Sequence, residues 1–123
     1  DMILPVNLDP TLFDRACDKL IECAIDYCEP ESEITIRLYE WSHEDRVSAR
    51  MEIACQAFQF PPDEIEEMFS PFYQVSEGKK YTSGLNLAIA KQIMVIHGGT
   101  LIALNNEQTG GCFQATLPLF TAR

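Results

Sequence analysis

The chain has 123 residues, and its nine lysines and arginines against 19 aspartates and glutamates give a formal net charge of -10. This length fits a single domain with one buried core, so we treat residues 1–123 as one domain. The negative charge repels phosphate groups, which argues against nucleic acid as a partner and against direct contact with an anionic membrane.

The chain begins with Asp1 and contains five cysteines, an odd number without CxxC spacing. The missing initiator methionine indicates a fragment of a longer protein. Most of the cysteines lie in apolar runs, where a thiol behaves as a small hydrophobic group. We therefore predict reduced core cysteines in a cytosolic domain, with no metal site and no disulfide. These cysteines are Cys17, Cys23, Cys28, Cys55 and Cys112.

The first half of the chain predicts a helix followed by a hairpin. Asp9 is a suitable N-cap and Pro10 suits the first turn of a helix. Apolar residues then recur at helical spacing as far as about Tyr27. Apolar and polar residues alternate in residues 34–39 and again in residues 47–55. We predict an antiparallel hairpin in which each strand buries one face.

The second half predicts two helices and another hairpin. Pro61–Pro62 begins a short helix, and a longer apolar helix runs from Gly84 to a glycine C-cap after His97. The expected role of His97 is structural, because a cation suits the dipole at a helix end. A second hairpin pairs residues 101–104 with residues 113–117. This order of elements predicts a two-layer α/β sandwich, whose mixed, mostly antiparallel sheet carries helices on one face.

Four short segments have the order and spacing of a known ATP-binding domain. They read FSPF, GLNLAIAK, HGG and GGCF, at residues 69–72, 84–91, 97–99 and 110–113. With these segments, residues 9–119 resemble the ATP-binding domain of sensor histidine kinases, in the GHKL superfamily shared with gyrase and Hsp90-type ATPases. The resemblance implies the Bergerat fold and a nucleotide site built from three sequence boxes.

The first box of that family reads N-x-x-x-N-A-x-K on the long first helix. Its second Asn holds the magnesium ion that bridges the phosphates, and its Lys contacts a phosphate. Since Ala24 aligns with the Ala of the box, Lys19, Cys23 and Asp26 occupy the other three positions. The resemblance implies a poor metal ligand at Cys23, because magnesium prefers oxygen donors. It also implies a repulsive charge at Asp26 that Lys19 offsets in part.

The second box, D-x-G-x-G-[IL]-P, corresponds to residues 55–61. In the family, its Asp accepts a hydrogen bond from the adenine amino group and thereby selects adenine. Cys55 stands in that place and is a weak acceptor. Ala57 and Gln59 replace the two glycines that let the backbone approach the nucleotide. The resemblance therefore implies weaker adenine recognition in a more crowded site.

The third box, G-T-G-L-G-L, corresponds to residues 82–87. Gly84 keeps the turn into the helix, whose first amides could still bind an anion. Thr82 and Asn86 replace the other two glycines of the box. The resemblance therefore implies a stiffer and more crowded phosphate loop.

Together these replacements predict a degenerate, pseudokinase-like domain with weak or lost ATP binding. We expect a regulatory or docking module in two-component signal transduction, without catalytic residues and without a cofactor. Its expected partners are a response regulator or a partner histidine kinase, and the phospho-acceptor helices of the parent chain. Phe69, Phe72 and Tyr73 are candidate contact residues, although they could serve only in core packing. The expected location is the cytoplasm, with a parent protein that could be membrane-anchored.

Two alternatives remain open. A functional catalytic domain of a sensor histidine kinase would still bind Mg-ATP and phosphorylate a histidine elsewhere in the parent protein. The residues available for this are Glu22 for the metal, Gln56 or Gln59 for adenine, and Lys79, Lys80 and Lys91 for phosphate. In the other alternative, the pocket accepts a different small ligand, with Phe58, Phe60 and the cysteines as its apolar lining.

Overall fold

The structure is a computed structural model, and it describes Val6 and residues 8–28, 31–55, 59–65, 67–69, 85–106 and 110–119. Its elements, in chain order, are α1 (Pro10–Tyr27), β1 (Ile34–His43), β2 (Arg46–Cys55), a 3₁₀ turn (Pro62–Glu64), α2 (Leu85–Ile96), β3 (Thr100–Asn106) and β4 (Gly110–Pro118). Neither described helix is long and apolar enough to cross a membrane.

The predicted start and end of α1 are confirmed. Asp9 Oδ1 accepts hydrogen bonds from the backbone N–H groups of Thr11 and Leu12, at 2.9 and 3.1 Å. Pro10 is the first helical residue, where its missing N–H costs nothing. At the other end, Cys28 is the C-cap and its N–H donates to the carbonyl oxygen of Ala24 at 3.0 Å.

The described sheet has four strands in the order β1-β2-β4-β3. All of its described strand pairs are antiparallel, so no parallel pairing appears in the part of the sheet that the structure describes. Ile53 lies opposite Phe113, which lies opposite Ala103, so these residues share one face. The buried residues of α1 and α2 pack against that face in one core. The predicted two-layer sandwich with helices on one face is therefore confirmed.

The expectation that both strands of the first hairpin bury one face was wrong for β1. Ile53 on β2 is 2% exposed, whereas Ile36 and Leu38 on β1 are 55% and 61% exposed. These three side chains lie on the same face, because Ile36 pairs with Ile53 and Leu38 with Met51. The reason is position: β1 is an edge strand, and the helices cover the strands beside it.

The opposite face of the sheet carries a polar network centred on Glu52. Its two carboxylate oxygens accept hydrogen bonds from Arg37 Nη1 at 3.1 Å, Tyr39 Oη at 2.7 Å and Gln114 Nε2 at 2.9 Å. Partial burial, followed by the hydrogen bond to Glu52, raises the pKa of Tyr39. The network joins β1, β2 and β4 on the side that the helices leave open.

The glycine cap of α2 and the structural role of His97 are as predicted, but the ring is not a cation. His97 Nδ1 lies 2.8 Å from the carbonyl oxygen of Ile93, to which it donates, and Nε2 accepts the backbone N–H of Asp9 at 2.9 Å. A nitrogen that accepts carries no proton, so the ring is neutral in this arrangement. His97 therefore ties the end of α2 to the start of α1.

The predicted short helix after Pro61–Pro62 is less regular than expected. Only Pro62–Glu64 forms a 3₁₀ turn, and turns follow among the described residues up to Phe69. Met68 is nevertheless 1% exposed and belongs to the core. Burial of that side chain, more than helix formation, holds this segment against the domain.

Candidate functional site

The candidate site lies at the end of the sheet where the family boxes converge. Cys28, after the last turn of α1, is bonded to Cys55, the last residue of β2. Cys55 pairs with Gly111 near the start of β4. Asn86, near the start of α2, donates from Nδ2 to Glu22 Oε1 on α1 at 3.4 Å. The helix that carries the first box therefore contacts the second box through Cys28 and the third box through Glu22.

The disulfide corrects the prediction that all five cysteines are reduced. The Cα atoms of Cys28 and Cys55 are 5.7 Å apart, and the two residues lie 27 positions apart in the sequence. The spacing of the cysteines along the sequence does not indicate this pair, because the two residues approach each other only where the ends of α1 and β2 meet in the fold. Three cysteines lie outside the disulfide: Cys17, Cys23 and Cys112.

Cys55, which the resemblance assigns to the position of the adenine-binding Asp, is 4% exposed and its sulfur is part of the disulfide. A disulfide sulfur carries no charge, and sulfur is a weak hydrogen-bond acceptor. The side chain therefore does not fit an adenine amino group.

The first box also fits Mg-ATP poorly. Cys23, at the metal-ligand position, is fully buried with an exposed fraction of 0%. Lys19 and Asp26 lie on the same side of α1, four residues before and three after it, and both are half-buried. Magnesium takes oxygen ligands and keeps several of its waters, which an enclosed thiol does not allow. The described residues contain no group of three or more His, Cys, Asp or Glu side chains placed to hold a metal.

Glu22 is the residue that the sequence offers as a substitute metal ligand. The structure places its exposed carboxylate at the site. Its side chain points to solvent beside Asn86, which is half-buried. The contact joins the two helices at the start of α2. A carboxylate there could bind a cation that accompanies an anion held by the first amides of α2.

Asn105 on β3 has a role that sequence reasoning missed. Its Oδ1 accepts the backbone N–H of Phe60 and its Nδ2 donates to the carbonyl oxygen of Phe60, both at 2.8 Å. Phe60 is 3% exposed, and its ring lies 5.3 Å from that of Phe113 between centroids. Gln59, beside it, is exposed. No motif marks Asn105, because its partner lies 45 residues away.

Several predicted site residues lie outside the described residues. They are Ala57, Thr82 and Gly84 of the nucleotide boxes, and the candidate contact residues Phe72 and Tyr73. The same holds for the residues of the alternatives, Gln56, Phe58, Lys79 and Lys80.

Phe69, the described member of the contact candidates, is half-buried. Its ring meets Phe113 edge to face at 6.5 Å, and Lys91 Nζ lies 5.1 Å from its centroid. The ring therefore takes part in core packing while Lys91 remains exposed. Both line a shallow groove of about 180 Å³ along β3. A wider cleft of about 780 Å³, beside the β1–β2 turn, contains none of the predicted site residues.

Two cysteines outside the disulfide remain neutral thiols. Burial raises the pKa of Cys112 to about 12, and the charge of Glu52 adds to the effect. Burial likewise raises the pKa of Cys17, with further contributions from Asp14 and Asp18. Neither thiol ionises appreciably at neutral pH, so neither is a reactive nucleophile.

Comparison with known proteins shows the family to which this chain belongs. The family described as "Histidine kinase-, DNA gyrase B-, and HSP90-like ATPase" matches residues 8–121. The chain belongs to this family. It is 31% identical over 121 residues to the sensor protein KdpD of Escherichia coli, covering 95% of this chain and 13% of that protein. It is 26% identical over 121 residues to the sensor histidine kinase WalK of Bacillus subtilis, covering 96% and 20%.

A solved structure supports the same assignment. The mycobacterial sensor histidine kinase MprB matches with a TM-score of 0.80 and 27% identity, over 95% of this chain and 78% of that one. The two-layer fold is therefore that of histidine kinase catalytic domains. The chain spans only 13% to 20% of the length of KdpD and WalK, and it corresponds to the ATPase domain of such two-component sensor proteins.

Proposed function

We propose that this domain is a regulatory or docking module of a two-component sensor protein and that it has lost useful binding of Mg-ATP. The observation that carries the proposal is the state of Cys55, which is 4% exposed and joined to Cys28. Under the family's residue assignment, the disulfide occupies the position that would otherwise select adenine.

Losing the adenine contact lowers affinity substantially. A hydrogen bond to a charged acceptor contributes about 1.5–3 kcal/mol, which corresponds to roughly 10- to 150-fold in the dissociation constant. The buried disulfide offers no compensating charge. Any remaining adenine affinity would come from apolar contacts, which do not select adenine over other bases.

The phosphate side of the site is weakened independently. The buried thiol of Cys23 replaces an oxygen ligand, and Asp26 places a negative charge where the family has a cation. At about 4 Å, that charge would repel a phosphate by roughly 1–4 kcal/mol, depending on exposure to water. Together with the adenine loss, this amounts to about 2.5–7 kcal/mol, which takes a micromolar site to roughly 0.1 mM or weaker.

A second candidate function is an active catalytic domain that binds Mg-ATP and phosphorylates a histidine of the parent protein. The observation that favours it is the exposed carboxylate of Glu22 beside Asn86 at the start of α2. A carboxylate oxygen is a suitable magnesium ligand. In this case Glu22 would take over the role that Cys23 cannot fill.

For the docking function, the described residues offer the groove beside Phe69 and Lys91. A half-buried aromatic ring under an exposed ammonium group suits a partner surface that combines apolar and acidic side chains. We propose a response regulator or a partner histidine kinase for this contact, together with the phospho-acceptor helices of the parent. The proposed location of the domain is the cytoplasm.

Calorimetric titration with magnesium and a non-hydrolysable ATP analogue tests the proposal. We expect no saturable binding up to about 1 mM, and binding below about 100 µM would overturn it. Glu22→Gln should abolish any such binding if the second candidate is correct. The double variant Cys23→Asn/Cys55→Asp should gain affinity, and Cys28→Ser is its control, because both remove the disulfide but only the first restores the oxygen atoms.

A further inference from the structure

We propose that Cys28 and Cys55 form a reversible redox clamp, which a dithiol opens and a disulfide oxidant closes. The clamp would make this domain a thiol-redox sensor and would tie α1 to β2 at the end that carries the nucleotide boxes. The proposal rests on the cytoplasmic placement proposed above. Disulfides that form in that compartment are usually transient and redox-sensing, since cellular thiols keep most cysteines reduced.

Both cysteines are held in place without the bond. The N–H of Cys28 donates to Ala24 at the end of α1, and Cys55 pairs with Ile34 and Gly111 within the sheet. Their Cα separation of 5.7 Å lies within the range that disulfides require. Because the backbone contacts persist when the bond is broken, the two thiols stay close and can re-form it.

The two cysteine residues differ in exposure, and from this difference we infer which sulfur a reductant attacks. Cys28 is half-buried, whereas Cys55 is 4% exposed, so a reductant thiolate attacks the sulfur of Cys28. The bond between the two cysteines breaks, and Cys55 leaves as a thiolate and takes up a proton. The second thiol of the reductant then attacks the mixed disulfide and releases Cys28. Two electrons and two protons pass from the dithiol to the pair.

The other cysteines do not compete in this exchange. Cys23 and Cys112 are 0% and 1% exposed, and Cys17 is half-buried. Burial raises the pKa values of Cys17 and Cys112, so these two react slowly as nucleophiles at neutral pH. Only the pair that contains Cys28 combines a formed bond with an accessible sulfur.

Graded mixtures of reduced and oxidised dithiothreitol, applied to the folded chain, test the clamp. After each mixture, alkylation and mass spectrometry report the thiols at Cys28 and Cys55. We expect both thiols to appear together without denaturant and to disappear on re-oxidation. The melting temperature should fall by roughly 10 °C on reduction, because the bond closes a loop of 27 residues.

Two matched variants identify the cause of the shift. Cys28→Ser should melt at the temperature of the reduced protein in either buffer. Cys17→Ser, which alters a half-buried cysteine outside the bond, should keep the full redox shift. A bond that resists dithiol in the folded protein, or thiols that never pair under oxidant, would overturn the proposal.

The nucleotide titration in both redox states separates this inference from the proposed function. If neither state binds the ATP analogue while the bond opens and closes, both proposals stand. Binding below about 100 µM in the reduced state alone would overturn the loss of ATP binding but support the clamp, now as a gate on the site. If neither state binds and the bond proves inert, only the clamp fails.

Discussion

The paired hydrogen bonds between Asn105 and Phe60 should contribute strongly to stability at the site. Asn105→Leu keeps the size of the side chain but removes both bonds, each 2.8 Å long. Phe60 is 3% exposed, but both bonds are only partly buried, so water can replace the lost partners in part. The substitution tests whether the side-chain amide of Asn105 fixes the end of the second nucleotide box at Phe60.

The expected magnitude follows from burial and bond count. A hydrogen bond contributes about 0.5–1.5 kcal/mol net, and a buried group that loses its partner costs about 1–3 kcal/mol. Since both bonds are only partly buried, the net value applies, and two lost bonds predict a decrease of about 1–3 kcal/mol in the free energy of unfolding. Asn105→Asp should cost less, since its carboxylate can still accept the N–H of Phe60.

Urea unfolding followed by circular dichroism measures the change, and hydrogen exchange reports the amide of Phe60 directly. We expect Asn105→Leu to accelerate exchange at Phe60 more than at residues of α1. Gln92→Leu serves as the control, because Gln92 is exposed and its replacement should change stability by less than about 0.5 kcal/mol. Unchanged unfolding of Asn105→Leu in urea would refute the reasoning.

Two further predictions concern other parts of the fold. A Cβ on Gly99 would overlap the carbonyl oxygen of Thr116, whereas Gly98 has a φ of +79° and only ordinary contacts. In thermal unfolding, Gly99→Ala should therefore lower the free energy of unfolding by about 2–3 kcal/mol, and Gly98→Ala should lower it by about 1 kcal/mol. Equal decreases would contradict this. Tyr39 has a pKa raised above 10.0, so its contribution is complete below pH 10 and is lost as pH rises through the folded-state pKa. Tyr39→Phe should lower the free energy of unfolding by about 1 kcal/mol at pH 7. In urea unfolding, it should also reduce the loss of stability at alkaline pH, and an unchanged loss would exclude Tyr39 as its source.

Local chemistry made much of the fold predictable. The cap at Asp9 and the glycine turn after α2 depend on neighbours within a few residues, so the sequence patterns located both. The order of motifs identified the family, and with it the two-layer arrangement. The burial of β1 was mispredicted because alternation indicates two faces but does not show that β1 lies at the sheet edge, away from the helices.

The candidate site was only partly predictable, for the same physical reason. Family boxes point to Cys23 and Cys55, because their positions are counted along the chain. The roles of Asn105 and Cys28 depend on which element ends meet in space, and no spacing rule gives that. The prediction of reduced cysteines failed here, since odd number and apolar surroundings carry no information about a partner 27 residues away.

The identity of residue 28 bears on both proposals. Loss of adenine recognition requires only that an Asp be absent at position 55, and any small apolar residue would achieve it. It does not require a second cysteine whose Cα lies 5.7 Å away, on a different element. A cross-link requires both residues, one at each of these element ends. The pair therefore supports the proposed redox clamp more directly than it supports the proposed loss of ATP binding.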